Sequence, residues 1–143
     1  MAAAFIKAGF EAHDIHMQDL LEQKKDLNQF NGLAVCGGFS YGDVLGAGKG
    51  WSSTINFSDS IQEKFLKFFE DEQKFTLGVC NGCQMLSSIK EIIPGTDSWP
   101  SFQKNHSDQF EARLSQVKIL KSKSVLLDNC LLYTSDAADE GWC

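Results

Sequence analysis

The chain has 143 residues and a formal net charge of −6, with 43% hydrophobic and 22% charged residues. This length suits one domain, and this composition can bury a core and excludes a disordered chain. The acidic balance argues against nucleic-acid binding, which needs a basic face, and no apolar run reaches the roughly 18–20 residues of a membrane span. The first residues lack the regions of a signal peptide and the five cysteines are odd in number, so cytosolic thiols are predicted and a cytoplasmic location is expected.

The first half of the chain alternates between helical and strand patterns. Residues 2–8 are strong helix formers, and residues 13–17 alternate in polarity as a short strand does. Two short apolar runs, residues 33–36 and 75–79, are typical of strands buried on both faces of a parallel sheet. Between them Ser58 is a candidate N-cap, and the apolar residues after it recur on one helical face. Those residues are Ile61, Phe65, Phe68 and Phe69.

The second half is less regular. Residues 80–86 form a turn that opens a helix, residues 109–120 alternate in part as a long strand does, and residues 124–127 are a further strand candidate. The order strand, loop, helix, strand, turn, helix predicts an α/β domain with a three-layer, doubly wound, mostly parallel sheet. Residues 130–143 resemble a translated sequencing adaptor, so we expect a partial domain over residues 1–129 and an artefactual, disordered tail after it.

The chemistry-bearing motif is the sequence Gly78-Val-Cys80-Asn-Gly82, at the junction of a predicted strand and helix. A nucleophile between two glycines at such a junction is the elbow arrangement, in which the nucleophile is strained and the flanking positions are too crowded for side chains. The start of the helix favours a thiolate at Cys80, and the N–H of Asn81 is placed to receive a developing oxyanion.

Other interpretations of the same motif stay open at this point. The glycines and the thiol could be a packed turn without chemistry. Cys80 and Cys83 form a Cys-x-x-Cys pair, which is also typical of redox sites. A zinc site is not predicted, because no second pair of ligands has metal spacing.

A glycine-rich loop over residues 37–43 follows the first apolar strand. It could present backbone N–H groups toward the elbow, or it could be a flexible turn, and Cys36 before it is predicted to be a buried core thiol. Catalysis by cysteine needs a base, usually a histidine. His13 and His16 are predicted to lie at the surface, and His106 lies in an irregular polar segment, so the residues alone offer a nucleophile without its partner.

These residues resemble a known family. The stretches 36–51 and 77–86 are similar to the glutaminase domain of phosphoribosylformylglycinamidine synthases, of the large single-chain form, and residues 91–113 fit the same pattern. That domain is a class I (triad) glutamine amidotransferase, with a flavodoxin-like α/β fold. The resemblance covers about residues 1–129 and implies glutamine hydrolysis that supplies ammonia to synthetase domains of the same parent chain.

The resemblance also implies roles for individual residues. Cys80 is the nucleophile, and the N–H groups of Gly38 and Asn81 form the oxyanion hole. The glutamine is held by a set of four side chains, with no metal in the site. These are Phe39, Gln84, Asn105 and Phe110. No cofactor is expected in this domain, while ATP and magnesium belong to the synthetase domains.

Two departures from the family are expected to matter. A strand and a loop of the family precede the point that matches Met1, and its catalytic His-Gly-Glu segment follows the point that matches Asp128. We therefore expect a domain that is truncated at both ends and inactive by itself. The rival function is a non-catalytic, amidotransferase-like binding module.

Overall fold

The computed structural model describes residues 1–38, 46, 48–109, 111–112, 114–117, 124 and 133–136. These residues belong to two compact units, Met1–Phe102 and Gln103–Cys143. The helices of the first unit are α1 (Ala2–Lys7), α2 (Met17–Leu21), α3 (Lys49–Asn56), α4 (Asp59–Glu70) and α5 (Asn81–Ser88). Its strands are β1 (Gly32–Val35) and β2 (Phe75–Gly78), and its short 3-10 helices are Leu27–Gln29 and Lys90–Ile92. The strands of the second unit are β3 (Leu114–Val117) and β4 (Tyr133–Asp136).

The two apolar runs pair as parallel neighbours in one sheet. The register places Gly32 opposite Phe75 and Val35 opposite Gly78. The pairing continues one step further, because the N–H of Val79 donates to the carbonyl of Val35 at 3.0 Å. Both strands therefore end at the same edge of the sheet, and the turns that follow them are brought together. The predicted α/β class with a parallel sheet is confirmed.

Helix α4 lies in the crossover between the two strands and packs its predicted apolar face into the core. Ser58 is the N-cap in an extended conformation, although its side chain makes no capping hydrogen bond. Ile61, Phe65 and Phe68 are buried, and Phe69 packs against them from a half-buried position. The helical periodicity of the sequence thus predicts both the element and the face that it buries.

Helix α3 precedes α4 in the same crossover and is not predicted from the sequence. It begins after Gly48, whose φ of 72° is the left-handed conformation that glycine adopts readily. Ile55 of this helix is fully buried, and α3 contacts both α4 and α5. The small residues of the helix hide its apolar stripe from a pattern search, since Gly50 and Ser52 are buried alongside Ile55.

Residues 13–17 do not form the predicted strand, and that prediction is wrong. His16 instead caps α2: its Nδ1 accepts from the N–H of Gln18, and its own N–H donates to the carboxylate of Asp19, both at 3.2 Å. The two bonds form a capping box that starts a helix at Met17. Local hydrogen bonding by side chains here outweighs a weak alternation of polarity.

The second unit contains the antiparallel pair β3 and β4. The strand predicted over residues 109–120 is seen only over Leu114–Val117 of its described part, and of residues 124–127 only Ser124 is described, outside any strand. β4 lies in the segment 130–143, for which the sequence predicts disorder, and its Tyr and Thr residues are good strand formers. The boundary after residue 129 and the artefactual origin of that segment stay predictions.

Replacing the buried Phe68 by alanine is expected to lower the free energy of unfolding by about 3–5 kcal/mol, because a large ring leaves a cavity that the core cannot refill. Phe68 is 1% exposed, whereas Phe57 is 89% exposed. Phe57→Ala is the matched control, and we expect it to change stability by less than about 0.5 kcal/mol. Urea unfolding followed by circular dichroism measures both, and equal effects would contradict the packing described here.

Candidate active site

Cys80 stands at the junction of β2 and α5 in a strained backbone conformation. Its φ is 54° and its ψ is −116°, outside the regions that residues with a side chain normally occupy. Such a conformation costs about 1–3 kcal/mol and persists where the surrounding structure enforces it, which is often at a functional site. The strained turn predicted from the two flanking glycines is therefore present.

The flanking glycines are needed because backbone lies against both of them. A Cβ at Gly82 would stand 2.1 Å from the carbonyl oxygen of Val35, and a Cβ at Gly78 would stand 3.0 Å from the Cα of Cys83. Gly82 thus lets the first turn of α5 rest directly on β1, and Gly78 lets the same helix fold back over β2. Together they hold the turn at Cys80 from both sides.

Gly82→Ala is expected to lower the free energy of unfolding by about 3 kcal/mol, because neither backbone can yield and overpacking costs more than the helix propensity gained. Ser88→Ala, at the exposed end of the same helix, is the control and should change stability by less than about 0.5 kcal/mol. Thermal unfolding of the two variants tests this. A Gly82→Ala protein as stable as the wild type would show that α5 does not rest on Val35.

The glycine turn after β1 lies beside Cys80, as the parallel pairing requires. A Cβ at Gly37 would stand 2.8 Å from the Cβ of Cys80 and 3.6 Å from its Sγ. The next residue, Gly38, has a φ of 94° and accepts a hydrogen bond at its carbonyl from Nδ2 of Asn81, at 3.1 Å. The structure thus brings together Cys80, Gly38 and Asn81, three of the residues predicted for the site.

Two backbone N–H groups in the first turn of α5 donate hydrogen bonds within that turn. The N–H of Gly82 donates to the carbonyl of Val79, and the N–H of Cys83 donates to the carbonyl of Cys80, both at 2.9 Å. These two N–H groups are therefore occupied within the turn, and the oxyanion donor predicted for this turn is the N–H of Asn81. Its role stays a prediction.

The other predicted site residues have different outcomes. Gln84 is buried on α5, one turn after Cys80. Asn105 lies in the second unit, where its side-chain amide donates to the carbonyl of Gln109 at 2.9 Å. Phe39 and Phe110 lie outside the described residues. The parts that these four side chains play in binding glutamine remain predictions.

The histidines do not supply a base within the first unit. His13 is exposed and pairs with Glu11 at 2.9 Å, and His16 caps α2. His106 is exposed and belongs to the second unit. Both early histidines therefore lie at the surface, as predicted, and each is engaged by neighbours in its own segment.

The described cysteines are free thiols, and the described residues contain no cluster of metal ligands. Cys36, Cys80 and Cys83 are all thiols rather than disulfides. Cys36 is exposed, so the prediction of a buried core thiol is wrong: the strand ends at Val35, and the side chain after it leaves the core. Among the described residues no group of three His, Cys, Asp or Glu side chains could hold a metal ion. None of the described helices is long and apolar enough to cross a membrane.

Sequence reasoning missed two features of this site. One is the Asn81 side chain, whose bond to Gly38 joins residues 43 positions apart. The other is Gly48, where a Cβ would stand 2.6 Å from the N of Met85 and 3.0 Å from the carbonyl oxygen of Asn81. A glycine run before a helix is a sequence signal of such close approach, but only the folded chain shows what it approaches.

A cysteine on a strained strand-to-helix turn, facing a glycine turn from the neighbouring parallel strand, defines an α/β protein with a nucleophile elbow. Residues 1–137 match the sequence profile of the CobB/CobQ-like glutamine amidotransferase domain, and the chain belongs to that family. Such a domain hydrolyses glutamine and supplies ammonia.

Proposed function

We propose that Cys80 hydrolyses glutamine and that the ammonia serves the ATP-dependent conversion of formylglycinamide ribonucleotide to formylglycinamidine ribonucleotide, a step of purine biosynthesis. Family membership supports the release of ammonia. The purine acceptor rests on the resemblance of residues 36–51 and 77–86 to the glutaminase domain of phosphoribosylformylglycinamidine synthase. The observation that carries the proposal is the strained Cys80 beside the Gly37–Gly38 turn.

The chemistry follows from the elbow. The thiolate of Cys80 attacks the carboxamide carbon of glutamine, and the carbonyl electron pair moves to oxygen. The resulting oxyanion accepts hydrogen bonds from the N–H groups of Gly38 and Asn81. Collapse of the intermediate breaks the carbon–nitrogen bond, ammonia leaves with a proton from a general acid, and a thioester remains on Cys80. Water that has given its proton to a base then releases glutamate and restores the thiol.

Binding of the glutamine falls to side chains around this turn. Gln84 is buried on α5, one turn after the N-cap residue Cys80. The family resemblance also assigns glutamine binding to Phe39, Asn105 and Phe110. The amide and aromatic groups suit a polar, uncharged carboxamide with an aliphatic stem.

The partners in this proposal are the synthetase domains of the same parent chain, which bind ATP and magnesium and act as a ligase in the cytoplasm. Nucleic acid and membrane are not among them. Ammonia must pass from Cys80 to those domains without equilibrating with solvent. This requires the two centres to be joined in one protein or one complex.

A non-catalytic binding module is the competing function, and a Cys80–Cys83 redox pair is a third. Titration of the thiols with a chloroketone analogue of glutamine separates them. A glutaminase incorporates the label at Cys80 alone, and excess glutamine protects it. A redox pair forms an internal disulfide under mild oxidation, and a binding module does neither.

The acceptor is tested with the natural protein that carries this domain together with its synthetase domains. With ATP, magnesium, glutamine and formylglycinamide ribonucleotide, we expect equal amounts of glutamate and formylglycinamidine ribonucleotide. Glutamate without the amidine would mean that the ammonia serves another acceptor. Formation of neither product would support the binding module.

A further inference from the structure

The side chain of Asn81 carries a second function that its backbone role does not require. Asn81 is the first residue of α5 and is only 4% exposed. Its Nδ2 donates to the carbonyl of Gly38, 3.1 Å away on the turn after the neighbouring strand. A buried amide that crosses from one strand-end turn to the other fixes the distance between the two turns.

Gly38 is a residue that needs such an anchor. It has a φ of 94°, its side of the turn is exposed, and a Cβ there would meet nothing within 4 Å. No side chain among the described residues, its chain neighbours apart, would contact a Cβ at this position, and glycine adopts either sign of φ with little cost. A hydrogen bond on its carbonyl therefore sets the direction in which its own N–H points.

Asn81 is itself held on its other side. Gly48, the N-cap residue before α3, is buried. A Cβ there would stand 3.0 Å from the carbonyl oxygen of Asn81. The Asn81 peptide is thus enclosed between α3 and the turn at Cys80. This restrains the backbone of Asn81, so its side-chain amide donates to the Gly38 carbonyl from a fixed position.

We propose that the Asn81 side chain is a positioning residue that holds Gly38 at the distance and direction needed for the Gly38 and Asn81 N–H groups to bind one oxyanion. The inference rests on the proposed glutaminase function. It predicts a loss in kcat rather than in KM, because an oxyanion exists only in the transition state and the intermediates that follow. A displacement of about 1 Å at such a site costs on the order of 10²-fold in rate.

The test compares Asn81→Asp with Asn81→Ala in the natural protein that carries this domain. A carboxylate cannot donate to the Gly38 carbonyl, whereas a protonated carboxyl can. We expect both variants to lose about 10- to 100-fold in kcat near neutral pH, with KM changed less than about threefold. The activity of Asn81→Asp relative to wild type should rise as the pH falls, while that of Asn81→Ala stays constant.

The activity of each variant is divided by the wild-type activity at the same pH, which cancels the effect of neighbouring groups that titrate in both proteins. Among the described residues on the elements packed around Asn81, these groups are Cys36, Lys49, Cys80 and Cys83. Asn28→Asp, which removes an exposed amide bonded to Asp26, is the matched control and should keep wild-type kcat. A pH-independent ratio for Asn81→Asp, or a loss confined to KM, would overturn the inference.

A second measurement does not depend on activity. Deuterium uptake at Gly37 and Gly38 should be faster in Asn81→Ala than in the wild-type 143-residue chain, with uptake across α4 unchanged. Equal uptake at the glycine turn would overturn the anchoring. Faster uptake supports the anchoring even if the natural protein that carries this domain released no ammonia from glutamine, a result that would overturn the proposed function alone.

Discussion

Cys80→Ser or Cys80→Ala in the natural full-length protein is expected to abolish glutamine-dependent synthesis while ammonia-dependent synthesis survives. The thioester forms only on Cys80, and no other group of the elbow can take its place. In a comparable serine triad, loss of the nucleophile lowers kcat on the order of 10⁶-fold. Product formation with glutamine and with ammonium chloride, measured side by side, tests the expectation.

Cys83→Ser is the matched control for this change. Cys83 lies on the same helix, three residues after Cys80, and is exposed. It should keep most of the glutamine-dependent rate, because no step of the reaction passes through it. Equal loss from both substitutions would favour the redox pair, and full activity of Cys80→Ala would refute the elbow as the site. Far-ultraviolet circular dichroism establishes that each variant is folded.

The second large effect is expected for the 143-residue chain by itself, which should not turn over glutamine. Its three histidines are His13, His16 and His106. The first pairs with Glu11 and the second caps α2, so neither is placed to serve Cys80. Where no histidine serves Cys80, ammonia receives no proton on leaving and the water that must cleave the thioester is not activated, which costs on the order of 10⁶-fold in a comparable triad.

The test measures the rate of ammonia release from glutamine by the purified 143-residue chain and by its Cys80→Ala variant. We expect the two rates to be indistinguishable, while the chloroketone analogue still labels Cys80 in the wild type. Cys80-dependent release near the rate of an intact amidotransferase would contradict the expectation. His106→Ala would then identify whether His106 is the missing base.

Part of the fold follows from local pattern alone. The spacing of Ile61, Phe65 and Phe68 has the helical period and predicts the buried face of α4. The short lengths of the two apolar runs favour strands, and these runs become β1 and β2. Short-range signals that compete are harder to weigh. The alternation at residues 13–17 favours a strand, but the capping box at His16 starts a helix, and the cap is decided by side-chain geometry rather than by polarity.

Some features of the turn at Cys80 can be predicted from the sequence, and others cannot. The strained turn follows from the amino-acid sequence, because two glycines around a cysteine at a strand-to-helix junction leave that backbone few alternatives. The two short apolar runs likewise indicated strands of a parallel sheet. The hydrogen bond from the Asn81 amide to Gly38 and the close approach of Gly48 to Asn81 are seen only in the folded chain, because they join segments that are distant along the sequence. Contacts of that kind depend on the positions of whole elements, and no local period encodes them.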